Sequence, residues 1–100
     1  MYYIYFLYSD QSDKYYIGYT EQPEARLYEH NYSDKNSFTS KHRPWKIVAL
    51  FECGDERSIA MKIEKFIKKQ KSRRLIEDII RSKELYGILI QLVRVPHLRD

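Results

Sequence analysis

The chain has 100 residues, enough for one compact core and too few for a second domain of ordinary size. Aromatic residues make up 15% of it, mostly tyrosine, and 18 Lys and Arg against 14 Asp and Glu leave a net charge of +4, too modest to name a partner. One cysteine excludes a disulfide framework, and three scattered histidines exclude a zinc-ligand spacing.

In chain order, residues 2–8 ("YYIYFLY") read as a strand rich in Tyr and Ile. "SDQSDK" is turn chemistry and residues 15–20 read as a second strand, so the start is a β-hairpin with a loop of about six residues. Thr20 or Glu21 is placed to cap a helix with Pro23 in its first turn, running to about Tyr32. "SDKNSFTSKHRP" is polar and loop-like, and a third strand, "WKIVALFE", follows at 45–52. "GDERS" breaks the chain before a long helix from about residue 56 to residue 71. Its apolar positions Ile59, Ala60, Ile63, Phe66 and Ile67 form one stripe of a 3.6-residue period. "RRLIEDIIRS" continues as another helix after a break near Ser72. The tail "ELYGILIQLVRVPHLRD" reads either as a helix packed on the core as far as Val93 or as an extra strand, with the helix favoured. The expected fold is a small α/β domain, a three-stranded and largely antiparallel sheet flanked by helices.

The apolar start lacks a basic leader and meets Asp10 early, so no signal peptide is expected. No run approaches the roughly 20 apolar residues of a membrane helix, and the expected location is cytoplasmic, without a membrane. Charge is unevenly spread. Between residues 59 and 74 stand Lys62, Lys65, Lys68, Lys69, Lys71, Arg73 and Arg74 against the single acid Glu64. Such a segment reads equally as a solvated face and as the footprint of a polyanion binder.

Pairing Tyr5 with Tyr16 across the hairpin puts Ile4, Phe6, Tyr15 and Ile17 on one face, the core side, and Tyr3, Tyr5, Tyr16 and Gly18 on the other. Glycine inside a strand marks a bulge or a close approach, so two phenols beside Gly18 leave room for a ligand.

"YIY" at 3–5, "YIG" at 16–18, a helix carrying Arg26 and His30, and a later helix carrying Glu64 together resemble the GIY-YIG nuclease family. The resemblance runs from residue 3 to about residue 80. It includes "YIGYTEQPEARLYEHN", "HRPWKIVALFE" and "AMKIEKFIKK", four elements in order at matching spacing. It implies a GIY-YIG-like nuclease domain at 1–84, with 85–100 as a C-terminal extension packed on it. Two positions depart from the family's pattern: Tyr3 stands where the first motif names Gly, and Tyr19 stands where many relatives carry Lys, which removes one phosphate contact.

The resemblance implies a metal-dependent DNA endonuclease, with a catalytic set of Tyr5, Tyr16, Arg26, His30 and Glu64. Glu64 would be the ligand of one Mg2+ or Mn2+ ion; it also stands at the i, i+4 spacing of a surface ion pair with Lys68. Arg26 would grip phosphate oxygens, and His30, four residues on and so on the same helix face, would touch the attacking water or the phosphate. A phenol of ordinary pKa is only about 0.1% ionised at neutral pH, so Tyr16 as base, with Tyr5 positioning, needs nearby positive charge. Gly18 is expected to be structural at the site. Lys41, Arg43 and Lys46 around the third strand, and Lys68, Lys69 and Arg73 at and beyond the long helix, are candidate DNA-backbone contacts. The pathway would be DNA repair, recombination or processing, on DNA that includes branched or flapped forms. The alternative is a nucleic-acid-binding module of the same fold that does not cut. A homodimer or an unidentified protein partner is compatible with the sequence, and no residue argues for either.

Overall fold

The computed structural model describes residues 1–81, 89 and 92–95. Strands β1 (Tyr3–Ser9) and β2 (Lys14–Thr20) form the expected hairpin. Its turn is tighter than expected. Asp13 adopts a left-handed backbone (φ 53°), which Asp tolerates better than most residues, and its amide donates to the Ser9 carbonyl at 2.7 Å. Ser9 therefore pairs with Lys14, and Tyr5 lies opposite Gly18 and not opposite Tyr16. The offset from the expected register is two residues, one full side-chain period, so every residue keeps its face.

Strand β3 (Lys46–Glu52) pairs with the other side of β1, with a bulge where Phe6 faces Ala49 and Leu7 faces Ile47. A short strand β4 (Val93–Arg94) pairs with β3, so the sheet has four antiparallel strands in the order β2-β1-β3-β4, one more than expected. Where the expected C-terminal helix meets described residues, Leu89 is in a 3-10 turn and the chain enters this strand at Val93: Leu92 is buried and Val93 is 60% exposed. The remainder of that expected helix, and the boundary at residues 84 and 85, lie outside the described residues.

Among the described residues three α-helices cover the sheet. Helix α1 (Pro23–Tyr32) starts on Pro23, whose missing N–H costs nothing there. The expected cap at Thr20 or Glu21 is displaced: Gln22 is the cap residue and gives no side-chain bond, while Thr20 Oγ1 accepts from the Gln22 amide at 3.0 Å. Helix α2 (Arg57–Lys69) and helix α3 (Arg73–Ile80) are separated by Lys71 in a left-handed conformation (φ 48°) and by Ser72, whose hydroxyl accepts from Leu75 N at 3.0 Å as an N-cap.

β1 is central and buried on both faces, with Ile4, Tyr5, Phe6 and Leu7 at most 1% exposed. On one face Ile4, Phe6, Ile17, Ala49 and Phe51 pack against Ala60, Ile63 and Ile67 of α2 and Ile79 of α3. Each Ile or Phe among them contributes about 1.5–3 kcal/mol on burial. Phe66 departs from the expected stripe and is 39% exposed. On the other face Tyr5, Leu7, Trp45 and Leu50 pack with Tyr16 and with Leu27 of α1. Tyr15 and Tyr16 therefore face opposite sides of β2, an edge strand of the sheet.

Candidate active site

Arg26 and His30 lie one helical turn apart on α1, on the side that meets the sheet. His30 is 5% exposed, and both ring nitrogens are engaged. Nε2 lies 2.9 Å from the Tyr5 hydroxyl, and Nδ1 lies 2.9 Å from Thr39 Oγ1, itself 3.2 Å from Ser37 Oγ. A neutral imidazole has one N–H and one lone pair, so its two bonds run in a single direction along this chain. Burial above all, then the Arg26 guanidinium, pulls the His30 imidazole down to about 4, with Glu29 opposing. Burial pushes the Tyr5 phenol up to about 12, against the pull of Arg26. The Tyr5–His30–Thr39 chain is thus uncharged at neutral pH.

Thr39 belongs to a single 3-10 turn, Thr39–Lys41, inside the polar loop. Trp45 Nε1 donates to the Thr39 carbonyl at 2.8 Å, and the Asn31 side chain clamps Trp45 by accepting from its amide at 2.6 Å and donating to its carbonyl at 3.0 Å. The loop is thereby tied to α1, and its hydroxyl is presented to His30.

Tyr16 stands beside this chain. Its ring centre is 4.9 Å from that of His30, 6.4 Å from that of Tyr5 and 6.4 Å from that of Phe38, which stacks on it at 25°. Among the described residues nothing hydrogen-bonds the Tyr16 hydroxyl. Tyr16, Arg26, His30, Phe38 and Thr39 line one cleft of about 280 Å3. Arg26 is partly exposed and hydrogen-bonds Glu29.

Gly18 owes its place to the Tyr5 ring. A Cβ added there would lie 2.2 Å from the Tyr5 hydroxyl oxygen and 2.4 Å from Cζ. Close approach of a ring, and not a bulge, is the reason for glycine at this position.

Glu64 sits on α2, whose core residues pack on the opposite face of the sheet, but α2 runs along the β2 edge. Lys68 bridges the difference. Its ammonium lies 3.6 Å from the Glu64 carboxylate and 5.0 Å from the Tyr16 ring centre. The Glu64 charge also reaches Tyr5, where it adds a small upward push on the phenol. The i, i+4 ion pair is therefore real, and its lysine stands beside the Tyr16 ring. Among the described residues no three His, Cys, Asp or Glu side chains cluster, and a divalent ion held at Glu64 would take few protein donors. That donor set fits Mg2+ or Mn2+, hard ions that take one or two carboxylates and fill their remaining positions with waters and substrate phosphate oxygens.

The six cations expected at the DNA backbone are differently placed. Lys41 and Lys69 are exposed. Lys46 pairs with Asp10 at 3.0 Å, Lys68 with Glu64, and Arg73 with Asp13 and Glu77. Arg43 turns inward: its Nε donates to the His30 carbonyl at 2.6 Å and its NH2 group to the Ser33 carbonyl at 2.6 Å, so it closes the C-terminus of α1. Thr39, Phe38 and Asn31 carried no expectation. The one signal for Phe38 was an aromatic residue within an otherwise polar stretch, and Thr39 had none.

The sheet flanked by helices thus carries a cleft lined by a phenol, an imidazole and a guanidinium, with a second phenol buried behind the imidazole. The chain belongs to the GIY-YIG family: the sequence model of the GIY-YIG catalytic domain matches residues 1–77. Members of this family are endonucleases, and the match covers nearly the same stretch as the motif resemblance. No curated protein matches the chain. Among the described residues no helix is long and apolar enough to cross a membrane.

Proposed function

We propose that this protein is a metal-dependent endonuclease that hydrolyses phosphodiester bonds in DNA during repair, recombination or processing. The observation that carries the reading is the gathering of Tyr16, Arg26 and His30 at one cleft, with Tyr5 buried behind His30 and bonded to it, and with Lys68 linking Glu64 to the Tyr16 ring.

The residues divide the work by their surroundings. Arg26, always charged and accessible from the cleft, donates paired N–H groups to the non-bridging oxygens of the scissile phosphate. The Tyr5 hydroxyl is held protonated and bonded to His30, so it positions and does not take a proton. Tyr16, whose hydroxyl has no partner among the described residues, is placed to take, in its ionised form, the proton that the attacking water gives up as its oxygen bonds to phosphorus and the bond to the leaving oxygen breaks. His30 stays neutral and holds the Tyr5 hydroxyl in place. Glu64 would hold one Mg2+ or Mn2+ ion, which when bound supplies charge stabilisation to the phosphate and lowers the pKa of water. Lys68 must then exchange its carboxylate partner for phosphate.

Residues 1–84 form the catalytic unit in this reading and 85–100 an extension on it, and the burial of Leu89 and Leu92 in the same core as Phe51 supports the packing of that extension. The buried free thiol of Cys53 suits the reducing cytoplasm.

The test is incubation of the purified protein with branched, flapped and single-stranded DNA in Mg2+ or Mn2+. Cleavage is expected, and it is expected to vanish in the Arg26→Ala, Glu64→Ala double variant. Cleavage unchanged in that variant overturns the reading, and salt-sensitive binding without turnover in either metal replaces it with a non-cutting binding module.

A further inference from the structure

A second cleft, of about 390 Å3, lies across the free edge of β2, between that strand and the junction of α2 with α3. It shares Tyr16 and Phe38 with the candidate active site, so the two clefts adjoin. Its floor is apolar, made by Tyr15, Ile17, Ile67 and Ile76. Its rim is cationic, and the cations are not equivalent. Arg73 is committed to Asp13 and Glu77, and Lys68 to Glu64. Lys14 and Lys71 have no ion-pair partner among the described residues. The one acid at the rim, Asp13, is already matched by Arg73 and by the Tyr8 hydroxyl. Phe38, at the junction of the two clefts, is 48% exposed although it stacks on Tyr16.

An exposed ring at the mouth of an apolar trough with unpaired lysines suits a ligand with a flat apolar face and a negative backbone. A nucleotide has both. A paired base cannot offer its face without leaving the duplex stack, whereas an unpaired base can. We infer that this cleft binds an unpaired nucleotide next to the scissile phosphate, its base stacked on Phe38 and its phosphates held by Lys14 and Lys71. The inference rests on the nuclease reading and narrows its substrate to DNA with a single-stranded stretch beside the cut.

Fluorescence anisotropy with a labelled duplex, blunt or carrying a short single-stranded tail of either polarity, tests this in EDTA, where no cleavage interferes. The wild type is expected to bind one of the tailed duplexes about tenfold tighter than the blunt one, the scale of one stacked base. Phe38→Ala and the Lys14→Glu, Lys71→Glu pair are each expected to abolish that preference. The lysine pair should also reduce the slope of log affinity against log salt by about 1.4, two single-strand phosphate contacts. All three side chains are exposed, and thermal melts check that the variants fold. Phe38→Leu, which keeps an apolar side chain without a ring, should lose the preference as Phe38→Ala does. Equal binding of blunt and tailed duplexes by the wild type, or a preference that survives in both Phe38→Ala and the lysine pair, overturns the inference. In either case metal-dependent cleavage by the wild type would still stand, whereas no binding to any DNA would overturn the nuclease reading as well.

Discussion

The Tyr5 ring lies across the backbone of Gly18, the residue opposite it on the neighbouring strand, and fills the space that any other side chain there would occupy. One pairing thus accounts both for the glycine of the second motif and for the orientation that brings the Tyr5 hydroxyl to His30.

Gly18→Ala is accordingly expected to destabilise the protein by about 1–3 kcal/mol through overpacking, and to displace Tyr5 from His30. In a Tyr5→Ala background the same substitution should cost within about 0.5 kcal/mol of nothing, because the ring it strikes is gone. A double-mutant cycle on chemical denaturation checks this; additive costs would show that Gly18 serves something other than the ring.

The depressed His30 pKa carries a signed prediction. In the unfolded chain the imidazole charges as pH falls through about 6.5, while in the folded protein it stays neutral to about 4. Between those values the unfolded state binds the extra proton, so stability is full above pH 6.5 and declines by about 2–3 kcal/mol as pH falls towards 4. Glu29 and Asp13, whose carboxyl pKa values are lowered by their hydrogen bonds to Arg26 and to Tyr8 and Arg73, lose their contributions at more acidic pH. Urea titrations across this range should show the slope in the wild type and a flatter profile in His30→Gln, despite its lower stability.

Arg26→Lys keeps the charge and removes the fork. The Arg26 side chain is 40% exposed and its ion pair with Glu29 is a surface one, so the change should shift stability by no more than about 0.5 kcal/mol. Cleavage should fall about 100-fold, the scale of losing one preorganised donor to developing charge. Rates within about twofold of wild type would show that bidentate contact is not used.

Arg43→Ala separates two roles for one cation. The guanidinium closes α1 by donating to the His30 and Ser33 carbonyls, so its loss should cost about 1–3 kcal/mol of stability. The salt slope of DNA binding should not change. A slope smaller by about one unit would mark a phosphate contact instead.

Much of this was readable in advance because it is local. The 3.6-residue stripe of Ala60, Ile63 and Ile67 places α2 without reference to any partner, and Ser72 caps α3 through a bond to its own near neighbour. Arg26 and His30 share a helix face by spacing alone, and the alternation in "YIYF" and "YYIG" sorts Tyr5 and Tyr16 from Ile4 and Ile17. Sorting by face survives an error in register, since a slip of two residues leaves the alternation unchanged. For the same reason the pattern could not choose which residue faces Gly18; the four-residue turn closed by Asp13 did that.

The tertiary structure decided everything that depends on contacts between distant segments. Thr39 reaches His30 because Asn31 and Trp45 bind the polar loop to α1, and no local pattern encodes that docking. Arg43 looks like any surface cation until the end of α1 arrives beside it. Glu64 shows only an i, i+4 partner in the chain, and its approach to the phenols exists because α2 follows the edge of β2 with Lys68 between them. The residue types and their spacings were enough to point to the family, because reactive groups and short-range periodicity are properties of the chain. Their meeting at one cleft was set by packing, where burying both faces of β1 leaves α1, the loop and α2 few ways to close around it.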